Sequence, residues 1–173
     1  MSAARILETQ RLVLRELNPD DAEFMLGLLN DPAWLRNIGD RGVRTVEGAR
    51  KYLEDRVIAM YRRLGFGLWM VELEASGEPI GICGLVKRDT LPDVDLGFAF
   101  MPAFRGQGYG HESALAVRDH AIRVLGLKQL LAITSPANAD SVRLLERLGF
   151  AFEREMASAG NEKDVVRVYA YAP

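Results

Sequence analysis

The sequence predicts an α/β (α+β) fold, a central mixed, mostly antiparallel sheet of seven strands flanked by four helices. Three observations carry this expectation. Three short runs rich in aliphatic and aromatic residues, "FGLWMVELEA", "EPIGICGLVKR" and "DVDLGFAFM", follow one another with turn residues between them, as in an antiparallel meander. Next, helical, apolar and helical stretches alternate, as in a βαβ crossover. Between the two regimes stands "FRGQGYGHESA", which packs three glycines into five residues ahead of a helix.

Each element has its own local signal. In "TQRLVLR" the apolar Leu12 and Leu14 alternate with polar neighbours, the pattern of a half-buried strand. A helix over residues 19–29 follows, with Asn18 as N-cap, Pro19 at the first helical position and two acids in the first turn. The Gly and Pro content of "DPAWLRNIGDRGVR" predicts a loop. Thr45 opens a second helix that carries Glu47 and Glu54 and ends at Gly65. Gly77 and Pro92 mark the turns of the meander. The third helix covers residues 108–125, with Ala114, Val117, Ala121, Val124 and Leu125 at helical spacing and Gly126 closing it. "QLLAITS" is a continuous apolar strand. "NADSVRLLERLGF" is a helix capped by Asn138 and stopped at Gly149. "FAFEREM" and "DVVRVYAYA" are the last two strands. No repeat, linker or low-complexity segment interrupts the chain, so one domain over residues 1–173 is expected.

Composition excludes several classes. A chain of 173 residues is long enough for one core and short for two. A net charge of −2 argues against a nucleic-acid partner held by a strong positive field. No apolar run reaches the ~20 residues of a membrane span, and charges interrupt the N-terminal stretch, so a cytoplasmic protein without a membrane partner is expected. Cys83 is the one cysteine and reads as a buried strand residue, an inert core thiol. His111 and His120 have no metal-ligand spacing, so no metal is expected.

The glycine turn is the chemical signal. Gly106, Gly108 and Gly110 lie where a strand ends and a helix begins. A helix N-terminus presents free N–H groups and the positive end of its dipole, and glycines before it let those groups wrap a phosphate. A turn that merely satisfies backbone geometry would look the same. A Walker loop fails, because Tyr109-Gly110-His111 stands where Gly-Lys-Ser/Thr is needed. The dinucleotide fingerprint fails because its last interval is one residue short, and because the preceding strand belongs to a meander. A third pattern fits. Arg105-Gly106-Gln107-Gly108-Tyr109-Gly110 reads R-x-x-G-x-G, "SPANADSVRLLERLGF" contains N-x-x-S before a helix ending in Leu-Gly-Phe, and "ETQRLVLREL" opens the chain. With these motifs in this order the chain resembles the GNAT superfamily of acetyl-CoA-dependent N-acetyltransferases over nearly its whole length. The branch it resembles is that of the ribosomal-protein alanine acetyltransferases.

The resemblance implies a sheet splayed between the fourth and fifth of the seven strands, with acetyl-CoA as cosubstrate lying in the opening. Backbone groups of Phe98, Ala99 and Phe100 would meet its pantetheine, beside a bulge at Gly97. Backbone N–H groups from Arg105, Gly106, Gln107, Gly108, Tyr109 and Gly110 would hold the pyrophosphate, with His111 beginning the packed helix. Asn138 would reach the pantetheine or acetyl region, and Ser141 would face the thioester sulfur. Many relatives carry a tyrosine that protonates the departing thiolate; here that position is Leu145, which leaves Ser141 as donor. An N-cap and first-turn polar pair without ligand contact is the alternative for Asn138 and Ser141.

The implied reaction is direct attack by a neutral primary amine on the thioester. Deprotonation at pH 7 costs about 1.4 kcal/mol for an α-amine of pKa ~8 and about 4.6 kcal/mol for a lysine of pKa ~10.4. A weak base suffices for the first, and Asp95, where relatives often carry Glu, is the candidate; a solvent-facing strand acid is the alternative. Trp34, Arg36, Arg41 and Arg44 are candidates to bind an aromatic or acidic acceptor, and Glu47 to draw in a cationic amine. Against that, Trp34 would pack and the arginines would be solvated or paired. The acceptor is a protein N-terminus or a small amine, and the chain a monomer or homodimer. A module that binds an acyl-CoA and senses it without turnover is the competing reading.

Overall fold

Among the described residues eight strands form one sheet in the order β1-β2-β3-β4-β5-β6-β8-β7. The computed structural model describes residues 4–158 and 161–173, with 161–163 described by backbone alone. The strands are β1 Arg5–Glu8, β2 Leu12–Glu16, β3 Leu68–Leu73, β4 Pro79–Val86, β5 Asp95–Phe100, β6 Leu130–Thr134, β7 Ala151–Ser158 and β8 Asn161–Tyr171. Strands β3, β4 and β5 form the expected antiparallel meander, and β5 and β6 are the parallel pair.

The strand count exceeds the expected seven by one, and the addition is β1. The chain turns at Thr9, whose N–H donates to the Leu12 carbonyl and whose hydroxyl accepts the Leu12 N–H. This turn folds Arg5–Glu8 back onto β2 as an edge strand. Adjacent Ile6 and Leu7 give it no alternating pattern to read, because an edge strand with a register shift need not bury one face.

Helix starts follow their caps. Asn18 caps a 3₁₀ turn, Pro19–Asp21, that runs into α1, Ala22–Leu29; the Asp21 carboxylate in return accepts the Asn18 N–H. A second helix, α2, covers Pro32–Asn37 where a loop was expected. The Asp31-Pro32 pair repeats the Asn18-Pro19 pattern, and the Asp31 carboxylate accepts the N–H groups of Ala33 and Trp34. Thr45 caps α3, Val46–Tyr52, which continues through a π-helical stretch, Leu53–Ile58, into α4, Ala59–Leu64, and ends at Gly65 with φ 78°. Helix α5 is Tyr109–Arg123 and α6 is Ala139–Arg147.

The core gathers around β2–β5. Ala114, Val117 and Ala121 of α5 are fully buried, and the edge of Trp69 meets the His120 ring. The Tyr61 hydroxyl accepts the Leu17 N–H and donates to the Leu68 carbonyl, which ties α4 to the strands. Cys83 is buried, and that burial pushes its thiol up to about 12, so it is a core residue rather than a nucleophile.

One feature of the sheet creates the site. Strands β5 and β6 are in register at Asp95 and Leu131 alone, with the Leu131 N–H donating to the Val94 carbonyl. Past that pair they are unpaired, so the sheet opens between Phe100 and Thr134. The bulge expected at Gly97 is absent: β4 and β5 pair without a register shift from Gly81/Phe100 to Val86/Asp95. A side chain at Gly97 would make ordinary contact with Leu68 and Val86, so no crowding forces the strand to kink there.

Candidate active site

The glycine turn closes the open end of β5. Gly106 and Gly108 adopt left-handed conformations, φ 73° and 86°, which a residue with a side chain resists. Gly108 is the N-cap of α5 and supplies no side-chain cap. The first intrahelical bond is Glu112 N–H to Gly108 carbonyl, so the amides of Tyr109, Gly110 and His111 lie ahead of it. They face outward at the positive end of a 15-residue helix. Gly110 serves packing instead: a Cβ there would stand 3.4 Å from Leu144 Cδ2, where α5 meets α6. Burial, and the nearby Arg147 and Arg118, hold the His111 imidazole below its usual pKa, hence neutral at pH 7.

Side chains brace this turn from behind. Arg11 donates to the Gln107 carbonyl at 3.0 Å and to Glu112 at 2.7 Å, and its guanidinium lies 4.4 Å from the centre of the Tyr109 ring. Glu112 also accepts the Thr9 hydroxyl and the Arg11 N–H; burial opposes its charge, but these bonds outweigh burial and keep its carboxyl below the usual range. Gln107 donates its side-chain amide to the Ala103 carbonyl. The Arg105 side chain turns back, donating to the Phe100 carbonyl at 3.0 Å and to Asp31 at 2.6 Å. Among these residues it is the main chain that is left to face a ligand.

Pairing decides which strand groups face the opening. Peptide groups along a strand point alternately to its two neighbours. Since Val94 bonds β6 and Met101 N–H bonds Ile80 at the end of β4, even-numbered residues of β5 face β6 and odd-numbered ones face β4. Phe98 and Phe100 therefore face the opening. Ala99 does not: its carbonyl lies against β4, 2.5 Å from where a Gly81 Cβ would stand. This corrects the expectation that Ala99 contributes backbone groups. The Phe100 carbonyl is taken by Arg105, which leaves the Phe98 N–H and carbonyl as the free pair.

On the far side of the opening, Asn138 caps α6 with its Oδ1 accepting the Ser141 N–H at 3.3 Å. The Asn138 NH₂ and the Ser141 hydroxyl have no hydrogen-bond partner among the described residues. Leu145, one turn further on, is 1% exposed and belongs to the core.

Asp95 stands at the closed end of the opening and is 1% exposed, so it is no solvent-facing acid. Burial pushes its carboxyl up to about 6, against the pull of Arg88, whose Nε lies 3.0 Å from Oδ1.

The acceptor-side candidates separate. A cavity of about 560 Å³ lies between the 35–41 segment, Ser135 at the exit of β6, and Ser158 with 164–166 of the β7–β8 hairpin. Arg36 and Arg41 line it. Trp34 does not: it packs in the core at 7% exposure, with its indole N–H lacking a partner among the described residues. Glu47 is exposed on α3, paired with Arg50, and outside the cavity lining. Arg44 is held by Asp40 and Asn30. A larger hollow of about 840 Å³, bounded by Glu16, Glu54, Asp55 and Arg62, shares no residue with the glycine turn or α6.

Comparison with known proteins assigns this arrangement. The acetyltransferase (GNAT) domain model matches residues 11–151. The chain belongs to the GNAT acetyltransferase family. An uncharacterized N-acetyltransferase of Bacillus subtilis, YoaA, is 27% identical over 86% of this chain and 84% of its own. The acetyltransferase structure from Agrobacterium tumefaciens is 28% identical, with TM-score 0.82 over 100% of this chain and 96% of that one. A ribosomal L7/L12 α-N-protein acetyltransferase, RimL, solved with coenzyme A, shares the fold at 21% identity, with TM-score 0.82 over 98% of each chain.

As a GNAT acetyltransferase the chain is an acyltransferase, and the family's acyl donor is acetyl-CoA. The residues present fit that donor. Two left-handed glycines and three uncommitted helix amides suit a diphosphate, and the free Phe98 peptide group suits an extended amide chain. Sequence reasoning missed the residues that hold the site in place: Arg11, Asp31, Arg88 and Glu112. Of these only Asp31 had a local signal, the proline after it. Among the described residues no group of three His, Cys, Asp or Glu could hold a metal ion, and no helix is long and apolar enough to cross a membrane.

Proposed function

We propose that this GNAT acetyltransferase transfers the acetyl group of acetyl-CoA to a primary amine, the α-amine of a protein N-terminus or a small-molecule amine. One observation carries the reading: the free amides of Tyr109, Gly110 and His111 and the free peptide group of Phe98 border the same opening between β5 and β6.

The donor supplies an activated acyl carbon on sulfur; the chain's residues do the rest. The amides at the start of α5 hold the diphosphate, with Gly106 and Gly108 keeping side chains out of its way. The Phe98 carbonyl and N–H fix the extended amide chain, and the Asn138 NH₂ meets it from across the opening. As the C–N bond forms and the C–S bond breaks, the amine loses one proton and the sulfur gains one. Ser141, whose hydroxyl is otherwise uncommitted, donates to the sulfur; a thiol pKa of about 8.5 makes that a modest demand. Asp95, with a carboxyl near 6, takes the amine's proton through water. A base of that strength serves an α-amine better than a lysine, which agrees with the fold shared with an α-N-protein acetyltransferase.

The test is thiol release from acetyl-CoA in the presence of N-terminal peptides and small amines, with coenzyme A binding measured in parallel. Acceptor-dependent release supports the reading. Tight binding without release makes the chain a sensor, and no binding removes both.

A further inference from the structure

We infer that the acceptor is an anionic amine: beside its amino group it carries a carboxylate or similar anion and an apolar portion. This rests on the acetyl-transfer reading and concerns the 560 Å³ cavity next to the opening. Ser135, in its wall, directly follows β6, so the cavity adjoins the wide end of the opening between β5 and β6.

Charge in the cavity wall is unevenly paired: it holds two arginines, Arg36 and Arg41, and two acids, Asp40 and Asp164. Arg36 and Arg41 both line it, and neither has an ion-pair or hydrogen-bond partner among the described residues. Other arginines near the opening are matched, Arg105 by Asp31, Arg88 by Asp95 and Arg44 by Asp40. Neither acid of the wall forms an ion pair with Arg36 or Arg41. Asp40 is held by Arg44 at 2.6 Å, and Asp164 is not free. Glu47, the acid that would have favoured a cationic acceptor, lies on α3 with Arg50.

The remaining wall mixes polar Asn37, Ser135 and Ser158 with apolar side chains. Leu35, Ile38 and Val165, exposed by 37%, 41% and 44%, are three of the six large hydrophobic side chains exposed among the described residues, and all three line this cavity. Two arginines with no direct partner among exposed aliphatic side chains select an anion with an apolar portion. They also disfavour the ammonium form of a nearby amine, which lowers the cost of producing the neutral nucleophile.

The experiment compares acceptors matched in size that differ in side-chain charge. The peptides Ala-Glu-Glu-Leu, Ala-Gln-Gln-Leu and Ala-Lys-Lys-Leu report on a protein N-terminus, and free glutamate against glutamine on a small molecule. Thiol release is measured for the wild-type chain and an Arg36→Gln/Arg41→Gln variant, with coenzyme A affinity by calorimetry. The expected kcat/KM favours the acidic member of at least one series by about tenfold or more, with the preference shrinking to about twofold in the variant and in high salt. Coenzyme A affinity stays unchanged in the variant. Turnover with no charge preference, a preference for lysine, or an acidic preference that survives the double substitution overturns this inference and leaves acetyl transfer standing. No release from any acceptor by a chain that binds coenzyme A overturns both.

Discussion

The Arg105 guanidinium donates to the Asp31 carboxylate at 2.6 Å across 74 residues of sequence, and so joins the glycine turn to the start of α2. Asp31 is 7% exposed and caps α2 as well. The segment that walls the cavity therefore begins at a residue tied to the turn that would hold the diphosphate.

The two ends of this pair are not equivalent. Asp31→Asn keeps an N-cap side chain and removes the charge, at an expected cost of about 1 kcal/mol of stability. Arg105→Gln leaves a buried carboxylate without its cation and is expected to cost about 2 kcal/mol, discounted because the arginine is half exposed. Urea unfolding of the two variants checks the order. Both should raise the coenzyme A KM several-fold while the fold is retained.

Strain and binding can be separated at glycines. Gly108→Asp combines a left-handed residue, a contact 3.2 Å from Arg11 Nη2 and a negative charge at the proposed diphosphate site. Gly126→Ala imposes a similar left-handed strain, φ 70°, in open space. Each should lose about 1 kcal/mol of stability from the backbone term. Only Gly108→Asp should weaken coenzyme A binding, by more than about tenfold, as calorimetry would read.

If the Ser141 hydroxyl donates to the departing sulfur as proposed, Ser141→Ala should lower kcat by about tenfold or more with little change in the coenzyme A KM. Equal kcat in a folded variant would remove Ser141 from the reaction.

The pH dependence follows from Asp95. Burial raises its folded pKa to about 6, above the unfolded value of about 3.9. The folded state thus binds this proton more tightly, so the associated stability is complete below about pH 3.9 and is lost as pH rises through about 6. Activity runs the other way, because a base must be ionised. With an α-amine acceptor, log kcat/KM should fall with slope one between about pH 8 and 6 and slope two below about 6. Asp95→Asn should lower the rate and leave slope one throughout. Arg88→Gln should move the lower break upward, because the guanidinium now favours the charged carboxylate.

What was legible in the sequence was local. Asn18, Thr45 and Asn138 cap their helices, and Gly65, Gly126 and Gly149 take the left-handed conformations their positions suggested, because cap chemistry depends on a few neighbouring residues. The glycine turn was legible for the same reason. What the residues meet at a distance was not. Arg11 reaches Glu112 across 101 residues, and nothing near either predicts it. Arg36, Arg41 and Arg44 are indistinguishable in sequence; the fold pairs the third and leaves the first two facing a cavity. Ala99 and Phe98 differ only in which neighbouring strand their peptide groups meet, which required the register of β4, β5 and β6.

The most direct measurement follows the backbone amide resonances of the ¹⁵N-labelled chain as coenzyme A is added. Binding of the diphosphate by main-chain N–H groups should shift Gly108, Tyr109, Gly110 and His111, with Phe98 moving at the same concentrations, and should slow hydrogen exchange at these amides. Saturable binding that leaves these resonances in place, and moves instead those lining the hollow at Glu16 and Arg62, would contradict the site described above.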